Sequence, residues 1–441
     1  MNIGIVTLQY GNTATGGGGV HVNRIVDEYL KRGHFVSVFA MHTVRTENTS
    51  SMINEETLSY SIETAENLSV CRILTGKGLN TPYESKDKEE EYHRIKTFCD
   101  GVVSIIKRNS VNLDIIHMHG HHLVPGYLAF RLKDFPSKTV STIHFMESTL
   151  RGKEGVDHIN DMSEELYFDL KKWEAMTSYS DEIVVISPGQ RKDFIDLIEE
   201  SHDIDDIENV KDRIHLISSG VEDSSVLTED EMRNKWGRIS EKISILSYSR
   251  LDPSKGLHFA IQALPEMTRQ TAVDLKLTVA GIPAMGYETT LENEKKLIGD
   301  PDNCYLQFFE SIHTPDERNE FMDQFNVYLF PTLSEPFGIT LIETAARGMF
   351  VMTTDSSGPM YILSDKDAVD YDWGYVTKYG INIKLTDTPQ VNLKNNILRS
   401  WEWLLSNKEQ AMNMILEFRK MIFEKYTWAG VVNQYISMYE R

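Results

Sequence analysis

Short apolar runs alternate with helical stretches along this chain, stop, and begin again, and that double alternation limits the possible folds more than any other feature. In the first half NIGIVTL, HFVSVFAM, LDIIHMHG, KTVSTIHFM, DEIVVIS and RIHLISSGVE read as strands. Between the first two, VHVNRIVDEYLKRG carries helical spacing and closes on Gly33. Strands separated by helices in this way build a parallel, doubly wound sheet. After a polar stretch at 228–242 the pattern restarts: KISILSYS, LKLTVAG, NCYLQFFE and NVYLFPT are strand-like, and LHFAIQALPEM is helical. A chain of 441 residues is too long for one ordinary core. The expected fold class is therefore α/β, with two Rossmann-like doubly wound domains facing across a cleft, over residues 1–225 and 226–425. SKDKEEEYHRIK reads as the solvated start of a helix.

Within the second half, SEPFGITLIETAARG follows the apolar run NVYLFPTL. The acids Glu335 and Glu343 then straddle a strand-to-helix turn, at the carboxyl end of a strand, where open α/β sheets bind ligands. Carboxylates grip vicinal sugar hydroxyls by charge-assisted hydrogen bonds. The amides of Phe337, Gly338, Ile339 and Thr340 stand at the helix N-terminus, which suits a phosphate. A bland reading exists too, since acids in a first helical turn are favoured by the macrodipole alone.

A second loop of the same half, SYSRLDPSKGL, sets Arg250 and Lys255 between a strand and a helix. Two cations so placed can converge on a diphosphate, Arg through its planar fork and Lys as a point charge. In the first half, the glycines at 16–19 join the first strand to the first helix and let a backbone approach a ligand closely. They lack GxGxxG spacing, and FVSVFAMHT ends without an acid, which disfavours NAD. Histidines gather in HMHGHH, at His117, His119, His121 and His122, and His144 ends STIH. Without HExxH, or an acid or cysteine at ligand spacing, they read as a polar rim bonding substrate hydroxyls, and no metal or other cofactor is expected. Glu174, on a helix with Glu164 and Glu165, reads by itself as a surface acid.

A net charge of −21 argues against nucleic acid or an anionic membrane as partner. The acidity is already present in residues 1–225, with 36 acidic against 23 basic side chains. Three scattered cysteines suggest neither disulfides nor zinc and fit a reducing, cytoplasmic setting. MNIGIVTLQYG lacks the basic segment of a signal peptide, and no apolar run approaches the length of a membrane span. The oligomeric state is not written in the sequence.

Together the Gly-rich loop, His119, STIH, SSGVE at 218–222, SRLDPSKG at 249–256 and SEPFGITLIE at 334–343 resemble glycosyltransferase family 4, the retaining GT-B enzymes that include sucrose-phosphate synthases and the GlcNAc transferase of mycothiol synthesis. The resemblance implies a hexosyl transfer from a nucleotide diphosphate sugar, UDP-sugar first and GDP-sugar second, to a hydroxyl of a soluble acceptor. Arg250 and Lys255 would bind the donor diphosphate, Glu343 the ribose and Glu335 the donor sugar. Phe337, Gly338, Ile339 and Thr340 would line sugar and phosphate, with the base near residues 309–313, Ile312 included. His144 would lie against the donor sugar beside the reacting carbon, with Gly17 and Gly18 nearby. Gly19, His21, His119, His122 and Glu174 would face the acceptor. The final helix, about 426–441, would cross back onto the first domain. No aspartate-any-aspartate motif is read at a strand end to carry Mg²⁺, so the diphosphate charge falls to the two cations and a helix N-terminus. SSGVE and SSGPMYIL depart from commoner forms, and FMESTLRGKEG matches no pattern. Two other readings remain: a phosphorylase or sugar-phosphate-forming synthase of the same fold, which needs a cationic acceptor pocket not visible in the sequence, and a non-catalytic partner subunit.

Overall fold

The computed structural model describes residues 1–14, 16–42, 53–54, 58–75, 87–108, 112–120, 123–152, 157–201, 206–222, 227–284, 286–309, 314–386 and 388–441. It divides into two compact units, Met1–Ser218 with Trp428–Arg441, and Ser219–Thr427. The division falls a few residues before the expected 225/226 boundary.

In the first unit the strands are β1 (Asn2–Thr7), β2 (Phe35–Met41), β3 (Ile53–Asn54), β4 (Ser59–Ala65), β5 (Leu68–Ile73), β6 (Ile115–Gly120), β7 (Lys138–Ile143), β8 (Glu182–Val185) and β9 (Ile214–Leu216). They form one sheet, ordered β3-β4-β5-β2-β1-β6-β7-β8-β9 among the described residues. From β5 to β9 every neighbouring pair is parallel. The chain runs outward from β1 to β2 and β5, then returns to β6 on the other side. That reversal opens a crevice at the carboxyl ends of β1 and β6. β4 is antiparallel to β5 and was not apparent from the sequence. Its turn is Glu66-Asn67, with Glu66 at φ +40°, in place of the Asn-Gly or Asp-Gly that signals a tight hairpin.

Helix α1 (Gly17–Lys31) buries Val22, Ile25, Val26 and Tyr29, the i, i+3, i+4, i+7 stripe of an amphipathic helix. The tail helix Trp428–Tyr439 packs against that stripe with Val431, Val432, Tyr435 and Met438. The Tyr29 and Tyr439 hydroxyls meet at 2.7 Å, and Tyr439 also reaches His117 Nδ1 at 2.6 Å. The tail thus belongs to the first unit. Helix α2 (Lys88–Arg108) begins in the charged run expected to be solvated. Glu89 and Glu90 are exposed, but Glu91 is buried, because Lys88 pairs with both Glu91 (3.2 Å) and Glu147 (2.9 Å).

The second unit repeats the plan with β10 (Lys242–Tyr248), β11 (Asp274–Gly281), β12 (Cys304–Phe308), β13 (Val327–Phe330), β14 (Phe350–Thr354), β15 (Val369–Tyr371), β16 (Gly374–Val376) and β17 (Ile381–Ile383). Their order is β12-β11-β10-β13-β14-β17-β16-β15, with only the last two pairings antiparallel. Here the reversal lies between β10 and β13, the strands that precede SRLDPSKG and SEPFG.

Candidate active site

In the second unit, the loops after β10 and β13 are hydrogen-bonded to each other. The Ser254 carbonyl accepts from the amides of Leu333 (2.8 Å) and Ser334 (3.3 Å). Asp252 caps the short turn Pro253–Lys255 through the Ser254 amide, and its other oxygen takes Arg250 Nε at 2.8 Å. Burial pushes the Asp252 carboxyl up, but Arg250, Lys255 and the Ser254 hydrogen bond outweigh it and hold the group below its ordinary range. Gly256, at φ +60°, closes the turn against the Pro331 carbonyl.

That seam brings residues 80 positions apart together: Lys255 Nζ donates to Glu335 Oε2 at 3.0 Å and to the Ser334 carbonyl at 3.1 Å. Both side chains are largely enclosed, whereas Arg250 is half exposed. Glu335 Oε1 accepts from the Phe337 amide (3.3 Å), and its carbonyl accepts from the Gly358 amide (2.9 Å). Gly358 belongs to the unusual SSGPMYIL segment. A Cβ there would stand 2.4 Å from the Phe337 carbonyl, so the glycine lets this loop lie flat on the turn.

Gly338, at φ +106°, starts the helix Ile339–Ala346. Tyr328 OH donates to the Tyr248 carbonyl and meets Thr340 Oγ1, each at 2.8 Å, and so fixes the helix start against β10 and β13. Phe337 is buried, while Ile339 and Thr340 are partly exposed. Two cations and a helix N-terminus therefore lie at one strand edge, beside a carboxylate. Chemically, this arrangement is suited to an anion next to a hydroxyl-bearing group.

Glu343 lies one turn further along, and its Oε1 pairs with Arg318 Nη2 at 3.1 Å. Both are nearly buried, in a hollow also lined by Glu222, Asn319 and Arg347. The sequence reading missed Arg318; a lone arginine in PDERNEFM gives no signal. Ile312 lies outside the described residues. Phe309 packs edge-on against Tyr248 and Phe321.

In the first unit, the carboxyl ends of β6 and β7 carry His119 and His144, joined Nδ1 to Nε2 at 3.2 Å. The ring of His144 would lie 3.8 Å from a Cβ on Gly18, so the start of α1 lies against it. Gly17 is exposed at that start, and Gly19 is buried. A Cβ on Gly19 would stand 2.7 Å from that of Ala14. Burial lowers the basicity of His144 to about 4. Burial, with mutual repulsion among the rings, also pushes His21, His117 and His119 well below the usual range. At neutral pH these imidazoles supply hydrogen bonds, not charge. His21, His119 and His144 present ring nitrogens within 4.8 Å of one another, a grouping a metal could use that the linear spacing concealed.

Four expected acceptor contacts need correction: His119 is fully buried on His144, Gly19 is closed over by Ala14, and His21 and Glu174 are enclosed as well. His21 is fully buried, with its Nε2 on Tyr435 OH at 3.2 Å, because the tail helix covers that face of α1. Glu174 is neither a surface acid nor an open acceptor contact. It is buried on the helix Glu164–Ala175, and its oxygens accept from the amides of Glu147 (2.6 Å) and Ser148 (3.2 Å) and from the Ser148 hydroxyl. Burial pushes its carboxyl up to about 8 despite those donors. Glu174 anchors the turn Glu147–Leu150 that follows His144. Truncation to alanine leaves three buried donors unsatisfied and is expected to destabilise the chain by about 2–4 kcal/mol, read as a fall in melting temperature. An unchanged melting temperature would remove this anchoring role. His122 lies outside the described residues.

Known proteins agree with this architecture. Residues 15–224 match the Glycosyltransferase Family 4 model, and residues 228–384 match Glycosyl transferases group 1. A probable sucrose-phosphate synthase of Thermosipho melanesiensis is 25% identical over 241 residues, 54% of this chain and 50% of that protein. The chain thus aligns with half the length of that relative. Among solved structures, the sucrose-phosphate synthase of Thermosynechococcus elongatus superposes with a TM-score of 0.72 at 16% identity, over 100% of this chain and 98% of the other. A trehalose-6-phosphate structure from E. coli, bound with UDP-2-fluoro glucose, superposes with a TM-score of 0.69 at 13% identity, over 100% of this chain and 99% of the other. Two domain models that between them run from residue 15 to residue 384, on a fold shared along the whole chain, make this protein a GT-B glycosyltransferase of family 4.

Proposed function

We propose that the chain transfers a hexosyl group, with retention of anomeric configuration, from a UDP-sugar to a hydroxyl of a soluble acceptor. GDP-sugars are the second choice of donor. The observation that carries this reading is the contact of Lys255 with Glu335 across the seam of the two loops at the β10/β13 reversal, with Arg250 beside it. In the proposed step the anomeric C–O bond to the β-phosphate breaks and a bond to the acceptor oxygen forms on the same face. The leaving phosphate oxygen takes the acceptor proton. Arg250, Lys255 and the amides opening the helix Ile339–Ala346 stabilise the negative charge that develops on the diphosphate. Glu335 orients sugar hydroxyls, Glu343 the ribose, and neutral His144 offers a hydrogen bond near the reacting carbon.

Metal independence belongs to the same proposal, because two cations and a helix N-terminus already supply positive potential at the diphosphate. A reducing, cytoplasmic setting fits the three buried free thiols. No helix among the described residues is long and apolar enough to cross a membrane. The test is release of nucleoside diphosphate from a panel of UDP- and GDP-sugars in EDTA, with the anomeric product followed by NMR. Activity is expected to survive chelation and yield the retained anomer. An inverted product would remove the retaining assignment, and activity restored only by a divalent ion would remove metal independence.

A further inference from the structure

Arg72 is the penultimate residue of β5, at the same carboxyl edge that carries the Gly-rich loop, and the sequence attaches no role to it. It is only 9% exposed, and among the described residues its Nη1 has no hydrogen-bond partner. Glu63, half exposed, sets its Oε1 3.9 Å from Nε, an ion pair beyond hydrogen-bond reach. In register, Arg72 stands beside Ala40 of β2 and Ser61 of β4. The parallel strands β1, β2 and β5 bring three side chains to this spot: Tyr10, three residues after β1, His42, the residue after β2, and Arg72 within β5.

The loop above the guanidinium is shaped around it. Gly11, at φ +67°, lies so close that a Cβ would stand 3.6 Å from Arg72 Nη2. Asn23 of α1 fixes that glycine by accepting its amide at 2.9 Å. Burial and Asp27 push the Tyr10 hydroxyl up to about 12 against the pull of Arg72, so it remains a neutral donor. Burial and Arg72 lower the basicity of His42. The result is a desolvated guanidinium with an orphan donor, at the edge where α/β sheets take ligands. A buried charged donor left unsatisfied is destabilising, so an anion that fills it is favoured.

We propose that Arg72, flanked by Tyr10 and His42, is an anion subsite that receives a phosphate or carboxylate carried by the acceptor sugar. The fork geometry of arginine matches either group with two parallel hydrogen bonds. The subsite rests on the transferase reading for its acceptor but not for its anion. It is also the cationic pocket that the linear sequence did not reveal in the first unit. Its single desolvated cation selects an anion despite the overall acidity of the chain.

The test uses the full chain with saturating nucleoside diphosphate, so that the second unit's cations are occupied. Inorganic phosphate and, separately, acetate are titrated at constant ionic strength while the melting temperature is followed. Wild type is expected to gain stability with at least one of the two, and the stronger of them names the source. Arg72→Gln should weaken the apparent affinity at least tenfold, and Arg72→Lys should retain part of it; the lysine variant decides the matter if the glutamine variant does not fold. Acceptor assays with glucose, glucose 6-phosphate and glucuronate should show a preference for an anionic member that Arg72→Gln loses. No anion effect in wild type, or an effect unchanged in both variants, overturns the subsite. Equal use of neutral and anionic sugars overturns its role in acceptor choice. If phosphate binding depends on Arg72 but no nucleoside diphosphate binds, the transferase reading fails and the anion subsite stands.

Discussion

Lys255→Ala is expected to lower turnover by about 10²–10³-fold, the usual loss when a preorganised stabiliser of transition-state charge is removed. The side chain reaches the turn after β13 from the turn after β10, and its ammonium is held by Glu335 and the Ser334 carbonyl. A cation fixed in this way needs little reorganisation as charge builds on a leaving diphosphate. Its removal takes away that stabilisation and leaves Glu335 without its partner, so donor positioning suffers as well. Melting temperature should move by only a few degrees, since both groups, though largely enclosed, keep some solvent contact and one such pair contributes on the order of 1 kcal/mol. Arg250→Ala should act in the same direction but more weakly, because that side chain is half exposed. Steady-state release of nucleoside diphosphate measures both. Near-normal turnover in Lys255→Ala would remove the lysine from the diphosphate site.

The second large effect is expected one residue later. Gly256 adopts φ +60°, and a Cβ there would stand 2.2 Å from the Pro331 carbonyl oxygen. Alanine must therefore bear the left-handed backbone, which costs roughly 1–2 kcal/mol, and must also force the two ligand loops apart. We expect Gly256→Ala to destabilise the second unit by about 3 kcal/mol or more and to depress turnover with it, because Lys255 would shift away from Glu335. Gly299 separates the two contributions: it has φ +92° but nothing within 4 Å of its added Cβ. Gly299→Ala should show the backbone cost alone, with turnover unchanged. Equal melting temperatures for the two variants would mean that the seam tolerates displacement.

The parts of the site that lie close in sequence could be read from it. Arg250 with Lys255, and Glu335 with the helix start at Gly338, each occupy one loop whose strand and helix neighbours have clear periodicity. What joins them could not be read, because the Ser254 carbonyl seam and the Tyr328–Thr340 contact depend on β10 and β13 lying side by side. Arg318 escaped notice for the same reason, as its partner Glu343 lies 25 positions on. Glu174 looked like a surface acid because a helix face rich in Glu and Lys conceals which member turns inward. The histidines of HMHGHH were obvious in sequence, but that His21 joins His119 and His144, and that the tail helix closes over it through Tyr435, depends on contacts spanning up to 414 positions. Arg72 gave no local signal, since its meaning comes from three strands ending at one place.

The most direct test of the account is calorimetric titration of the intact chain with UDP, GDP and ADP in the presence of EDTA, beside Lys255→Ala and Arg250→Ala. The account predicts saturable binding of one nucleoside diphosphate, UDP first, without added metal. It predicts that Lys255→Ala weakens binding at least tenfold and Arg250→Ala less. Absence of binding by all three nucleotides, or affinity unchanged in both variants, would contradict the assignment of the β10/β13 turns as the donor site.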